Sequence, residues 1–248
     1  MGQIKRELFG LEINNISKSQ LISELLRFAQ ARRPSYLCAV NVHMLVEAQT
    51  DISLKKAIKN AQWAVTDGVP VKWAFSYFNK VSQSRIAGMD ITPELIEHCD
   101  EKQMTVSVFG NTEENLDIFQ EYLTQNFGNV KIGRFISPPF RKLTVEETEK
   151  YVHEINDVGT NILFVSLGCP KQEKWMLENS SDLSCVCLGI GNAINTVIGS
   201  EKRPPKFIQK LGMEWFYRLI QNPTRLFNRY FYTNSKFIAL VLKRIISR

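Results

Sequence analysis

The stretch Asn161–Trp175, NILFVSLGCPKQEKW, decides the fold. Ile162 to Leu167 is a nearly unbroken apolar run with no helical stripe. That reads as a strand buried on both faces, as strands inside a parallel sheet are. Gly168 ends the run, and Pro170 stands where a helix can begin, at N1. Lys171, Gln172, Glu173 and Lys174 follow on the first turn. A strand, a small-residue turn and a polar helix N-terminus form an anion site, because free backbone N–H groups and the helix dipole point at one spot. An ordinary βα turn has the same texture, so the remainder of the chain has to decide.

Outward from that stretch, strand and helix patterns alternate. Leu8–Ile13 reads as a short strand or hairpin arm, and Ser17 as the N-cap of an amphipathic helix carrying Leu21, Ile22, Leu25, Leu26 and Ala29, stopped by Pro34. Buried strands are predicted at Tyr36–Val40, Trp63–Val65, Thr105–Phe109, Val130–Ile136 and Cys185–Ile190. Helices are predicted at Met44–Ala48, Leu54–Asn60, Pro70–Asn79 and Thr92–Lys102, after Thr112, and from a Thr144 cap with Glu147 as its capping-box partner. This spacing is that of βαβ units, and it argues an α/β fold: a Rossmann-like, mostly parallel sheet with helices on both faces.

In such sheets ligands sit at the carboxyl ends of the strands, where strand order reverses. The residues at those ends are Asn41, Asp67-Gly68, Gly110-Asn111, Gly168 to Gln172 and Gly191-Asn192. Small and hydrogen-bonding residues there suit a nucleotide or phosphorylated ligand lying against backbone amides. Turns use Gly, Asn and Asp in any case, which explains each of these ends singly better than it explains their agreement.

Charge divides the chain. From Lys202 to Arg248 there are eleven Lys or Arg and one acid, Glu214, a local net of +10 within a whole-chain +6, which leaves −4 for residues 1–201. The basic part alternates bulky apolar and cationic residues in three amphipathic pieces: one with Phe207, Ile208, Leu211, Trp215 and Leu219, a second around Leu226–Phe231, and a third over Lys236–Ile246. We therefore divide the chain into an α/β catalytic domain, 1–199, and a basic helical appendage, 200–248. The appendage reads either as helices packing on the body with basic outer faces or as a site for an anionic partner, best an interfacial membrane site where aromatics enter the headgroup region; a non-catalytic, basic membrane- or nucleic-acid-binding α/β protein is the alternative reading of the same charge. No apolar run approaches the roughly 20 residues that span a bilayer. No secretory h-region is visible, and the five cysteines are odd in number and unpatterned, as in reduced thiols.

Several segments match a known family: VNVHML at 40–45, TDGVPVKWA at 66–74, RIAGMD at 85–90, VFGN at 108–111, LGCPKQEKW at 167–175, GIGNAINTVIG at 189–199 and KRPPKFIQKLGMEWFYRLIQNPTRLFNRY at 202–230. Along nearly its whole length the chain resembles the WecG/TagA/CpsF glycosyltransferases, glycosyltransferase family 26. The resemblance implies inverting, metal-independent transfer of a sugar from a UDP-sugar to a polyprenyl-diphosphate-linked saccharide, by a peripheral protein on the cytoplasmic face of a bacterial membrane. The sugar would be of the N-acetylmannosamine type, its uronic acid, or glucose or glucuronic acid. The product would feed teichoic acid, common antigen, capsule or exopolysaccharide. No cofactor or metal is implied, no nucleic acid partner is expected, and a homo-oligomer is left open.

Sugar transfer needs a base for the acceptor hydroxyl, stabilisation of the departing diphosphate and exclusion of water. Asp67, at a strand end, matches the position of the family's proposed catalytic Asp; as a plain N-cap it would have a structural role instead. Asn41 and Arg85 join it as catalytic candidates. Gly110, Asn111, Gly168, Lys171, Gln172, Glu173, Gly191 and Asn192 are the donor-binding candidates. Arg218 and Arg225 match family positions proposed to reach the active site, with Arg229 standing in for an Arg often found at Asn228. The chain departs from the family also at Asn195, where many members carry Asp, and at Ala39 and Cys169. A dinucleotide fingerprint is missing, since Gly189-x-Gly191-x-x-Ile194 lacks its third Gly. No D-x-D pair is present, and His43, His98 and His153 lack ligand spacing. His43 reads as structural.

Overall fold

A computed structural model describes residues 4–247, apart from the side chains of Lys206, Lys210 and Arg225. The chain opens with a hairpin, β1 (Lys5–Leu8) and β2 (Leu11–Asn14), turned through Phe9 and Gly10 at φ 49° and 77°, a pair of left-handed residues that matches the twist of the strands. Helix α1 (Lys18–Gln30) follows, its Ser17 cap forming a full capping box with Gln20. Then come β3 (Ser35–Val40), α2 (Val42–Glu47), α3 (Ile52–Asn60), β4 (Trp63–Thr66), α4 (Val69–Asn79), α5 (Gly88–Glu101), β5 (Thr105–Gly110), α6 (Glu113–Asn126) and β6 (Lys131–Ile136). The second half holds α7 (Val145–Asp157), opened by the Thr144–Glu147 capping box, then β7 (Ile162–Ser166), α8 (Lys171–Asn179), β8 (Val186–Gly189) and α9 (Ala193–Val197). Three helices close the chain: α10 (Lys206–Lys210), α11 (Glu214–Gln221) and α12 (Pro223–Ile246).

Six strands form one sheet in the order β4-β3-β8-β7-β5-β6, every pairing parallel, while the hairpin is a separate antiparallel pair. The fold is the expected α/β arrangement, and its central strands are apolar on both faces because both faces are covered. On one face Leu37, Ala39, Val106, Phe164 and Leu188 pack under α1, α5, α6 and α9. On the other, Tyr36, Cys38, Val40, Val165 and Cys187 pack under α2, α3, α4, α8 and the hairpin.

Several local readings change. The Leu8–Ile13 run bends at Phe9-Gly10 into the two arms of the hairpin. The first amphipathic piece is two helices, α10 and α11, divided at Gly212 with φ 73°. Pro170 is the N-cap of α8 rather than its N1 residue, and its peptide bond with Cys169 is cis. Helix α5 begins at Gly88, four residues before Thr92, with Pro93 in its second turn, where it leaves the Met89 carbonyl without its i+4 N–H partner. The second and third amphipathic pieces are one continuous helix, α12, because Pro223 sits at its start and nothing breaks it afterwards.

The appendage packs on the α/β body. Leu226, Thr233 and Phe237 of α12 are buried, and Phe237 meets Phe9 edge-on at 6.2 Å. Arg244 pairs with Glu7 at 2.6 Å, Arg85 with Glu214 at 2.5 Å, and Arg203 with Asp90. No helix among the described residues is long and apolar enough to cross a membrane.

Candidate active site

The connection after β3 leaves toward one face, since Met44 and Leu45 of α2 belong to the second core. The connection after neighbouring β8 leaves toward the other, since Ala193 and Ile194 belong to the first. Adjacent strands whose connections diverge open a crevice at their carboxyl ends. A cavity of about 440 Å³ lies there. Its floor comes from the ends of β3, β4, β7 and β8, including Asn41, Asp67, Gly168 and Gly191. Its roof comes from the appendage, including Glu214, Trp215, Arg218 and Arg229.

Asp67 follows the last residue of β4, its N–H held by Val40 O at 2.9 Å. The surface it keeps faces the cavity, and protein surrounds the rest. Burial, reinforced by the nearby Glu214 carboxylate, raises its pKa from 3.8 to about 7, against the pull of Arg85 and Arg218. A carboxyl poised there is half-ionised near neutrality and basic enough to accept a proton. It is Gly68, not Asp67, that caps α4, and no side-chain cap bond forms, so the Asp67 carboxylate is not spent on the helix.

Arg85 donates to Asp90 Oδ2 and Glu214 Oε1, both at 2.5 Å, and so ties α5 to α11 beneath the cavity. It is not one of the residues lining that cavity. Arg218 lines it and reaches Met89 Sδ at 3.1 Å. Arg229 lines it too, with its guanidinium 5.1 Å from the Tyr230 ring centre. The Arg225 side chain lies outside the described residues.

The strand-end candidates divide. Gln172 is buried; its Oε1 accepts from Gly191 N–H at 3.2 Å and its Nε2 donates to Glu173 Oε1 at 2.7 Å, which fixes one wall of the cavity. Asn41 caps α2, its Oδ1 accepting from the Met44 N–H at 3.0 Å, and it also lines the cavity. Asn192 lines the cavity while donating to Glu201 at 2.9 Å. Four candidates lie off the cavity wall. Lys171 points to solvent from the outer side of α8. Glu173 is wholly buried behind Gln172, and burial raises its pKa. Gly110 lies where a Cβ would come within 2.6 Å of the Ser166 backbone, so its smallness serves the packing of β5 on β7. Asn111 is engaged by Asn195 at 2.7 Å and by Asn115 at 3.0 Å.

The residue that sequence reasoning passed over is Glu214. Its signal was its isolation as the one acid of a +10 segment, and the structure sets it in the cavity wall against Arg85. His43, read as structural, also lines the cavity. Burial and Arg229 lower its pKa, and its buried Nδ1 makes no hydrogen bond among the described residues, with Glu47 4.0 Å away. Among those residues no group of three or more His, Cys, Asp or Glu could hold a metal ion.

Known proteins share this chain's sequence over most of its length. A protein of Staphylococcus aureus (strain MW2) named N-acetylglucosaminyldiphosphoundecaprenol N-acetyl-beta-D-mannosaminyltransferase is 24% identical over 225 residues, which cover 90% of this chain and 87% of that protein. Its namesake from Staphylococcus aureus (strain NCTC 8325 / PS 47) is 25% identical over 219 residues, 87% of this chain and 84% of the other. The model of the Glycosyl transferase WecG/TagA/CpsF family matches residues 6–248, which takes in floor and roof of the cavity alike. A match that begins in the first hairpin and runs through the last helix leaves no part of the site outside it: the chain belongs to the WecG/TagA/CpsF family and is a glycosyltransferase.

Proposed function

We propose that this protein transfers an N-acetylmannosamine-type sugar from its UDP conjugate to an N-acetylglucosamine carried on polyprenyl diphosphate, with inversion and without a metal. The relatives' names supply the acceptor and sugar class. The observation that carries the reading is the meeting of Asp67, the Gln172–Gly191 wall and the appendage arginine Arg218 on one cavity.

Asp67 takes the proton from the acceptor hydroxyl as its oxygen attacks the anomeric carbon, and the bond to the UDP oxygen breaks on the opposite face. The charge that develops on the departing diphosphate meets Arg218 and Arg229, whose planar forks suit phosphate, with Arg225 as a third candidate. The Gly168 backbone and the Asn41 side-chain amide offer the remaining polar contacts, the Gly191 N–H being held by Gln172. The appendage excludes water from the floor. Its exposed Phe207, Leu211, Phe216, Ile220, Phe227 and Phe231, among many Lys and Arg, suit docking on an anionic membrane face, where the acceptor resides.

A donor panel tests the reading: UDP-sugars are incubated with a short-chain prenyl-diphosphate N-acetylglucosamine, and products are read by mass. Transfer from UDP-N-acetylmannosamine is expected; transfer from none of the panel refutes it. UDP at about 100 times its Kd should stabilise the fold by about 2.7 kcal/mol in thermal unfolding, and an unchanged transition removes the nucleotide site.

The pH profile follows from Asp67. With its pKa near 7, kcat/KM is expected to fall about tenfold per pH unit on the acid side and level off above neutrality. Glu214→Gln removes a negative neighbour and releases Arg85, both of which favour ionised Asp67, so the acid limb moves to lower pH. An unmoved limb means that another group sets it.

A further inference from the structure

Beside the catalytic cavity lies a second one of about 690 Å³, lined by Lys72, Trp73, Arg85, Asp90, Arg203 and the Pro204-Pro205 pair, with Val69 and Gln209. Val69 belongs to both cavities, and Gly212 of the turn before α11 packs against it. Arg85 in this wall holds Glu214 in the other. The two spaces are neighbours across one residue.

The inner part of the second cavity is charged. Arg85 and Arg203 share Asp90, Arg85 also holds Glu214, and Lys72 makes no ion pair among the described residues, so three cations meet two carboxylates and the wall keeps a net positive charge. The outer part is apolar, built from Trp73 and the two prolines. Trp73 is 59% exposed, whereas Trp63 and Trp175 are buried and Trp215 is half-buried. Helix α4 sets the order of these groups. Val69, Lys72 and Trp73 share a face at i, i+3 and i+4, and a rise of about 1.5 Å per residue sets Trp73 about 6 Å beyond Val69 along the axis. Beyond Asp67 and the shared Val69, a bound molecule meets Lys72 and Arg203 side by side with the Trp73 indole and the two proline rings.

We propose that this second cavity anchors the acceptor: Lys72 and Arg203 hold its diphosphate, and Trp73 with Pro204 and Pro205 holds the first isoprene units of its chain. This rests on the acceptor class proposed above, which joins a diphosphate to a hydrocarbon next to the reacting sugar, as the cavity joins cations to an apolar surface next to Asp67. The cavity then selects acceptors by what lies behind the sugar. An exposed aromatic that only dips into lipid would have no need of a cation-lined space beside the first cavity.

The test compares two acceptors in the absence of membranes, with UDP-N-acetylmannosamine as donor: farnesyl-diphosphate N-acetylglucosamine and benzyl N-acetylglucosaminide. The wild-type protein is expected to favour the first in kcat/KM. Trp73→Ala and Lys72→Ala should each reduce that preference roughly tenfold, the effect of losing one apolar or charged contact, and Trp73→Phe should keep most of it. Thermal unfolding verifies that each variant is folded. An unchanged preference in both Ala variants overturns the subsite. So does an unchanged preference with lost binding to phosphatidylglycerol vesicles, which makes Trp73 a residue of the lipid surface. A wild-type protein that transfers to neither acceptor overturns the substrate reading itself, and the subsite with it.

Discussion

Asp67→Asn is expected to lower turnover by about 10²–10⁴ while making the fold more stable above neutral pH. Both effects have one cause. The folded pKa of about 7 lies above the unfolded value of 3.8, so the folded state favours the neutral acid. The stabilising contribution of the protonated carboxyl is fully present below about pH 4 and is lost as pH rises through about 7. Above that, the wild-type protein carries a charge next to Glu214 that the cavity solvates incompletely. The rise corresponds to at most about 4 kcal/mol, and water in the cavity reduces that. Asparagine keeps the shape and removes the penalty. Urea denaturation at pH 5 and pH 8 should therefore show the variant gaining more on the wild type at the higher pH. Near-normal turnover would remove Asp67 from the mechanism, and an equal stability difference at both pH values would remove the raised pKa.

Truncation after Gly199 is expected to abolish turnover, because it removes Glu214, Arg218 and Arg229 from the cavity wall. It also uncovers the second core, where Phe237 of α12 packs with Phe9 and where Leu240 and Val241 lie against the same cluster. Burying one aromatic side chain is worth roughly 3 kcal/mol, so the truncated body should keep its α/β circular dichroism but unfold at lower temperature. Single-turnover assays with the donor panel and a thermal scan read both effects. Full activity in the truncated protein would mean that the floor alone performs the chemistry.

The inner strands β3, β4, β5, β7 and β8 were legible because each is a short, mostly apolar run closed by Gly, Asn or Asp within a residue or two, and burial on both faces erases any polar alternation that could confuse the reading. The Ser17 and Thr144 boxes were legible because capping is local chemistry. Strand order was not, since nothing within β8 states that it pairs with β3 rather than with β4 or β6. That order separates Gly110 and Asn111 from the cavity while bringing Asp67 and Gln172 to it. Lys171 and Glu173 flank Gln172 in sequence but point elsewhere, because neighbours on a helix are about 100° apart. Arg85 was recognisable as a cation near the site. Its two carboxylate partners come from Asp90 and from Glu214, 129 residues away, which no local pattern connects.

The central position of β8 bears on how the chain is made. Leu37 of β3 pairs with Leu188 of β8, roughly 150 residues later, and Val106 of β5 pairs with Ile162 of β7. A ribosome releases β3 and β5 long before their inner partners exist, so each leaves an apolar edge bare while the nascent chain lengthens. The two halves of the sheet cannot join until the last quarter of the protein has emerged, and the cavity floor is the final seam of the sheet to close.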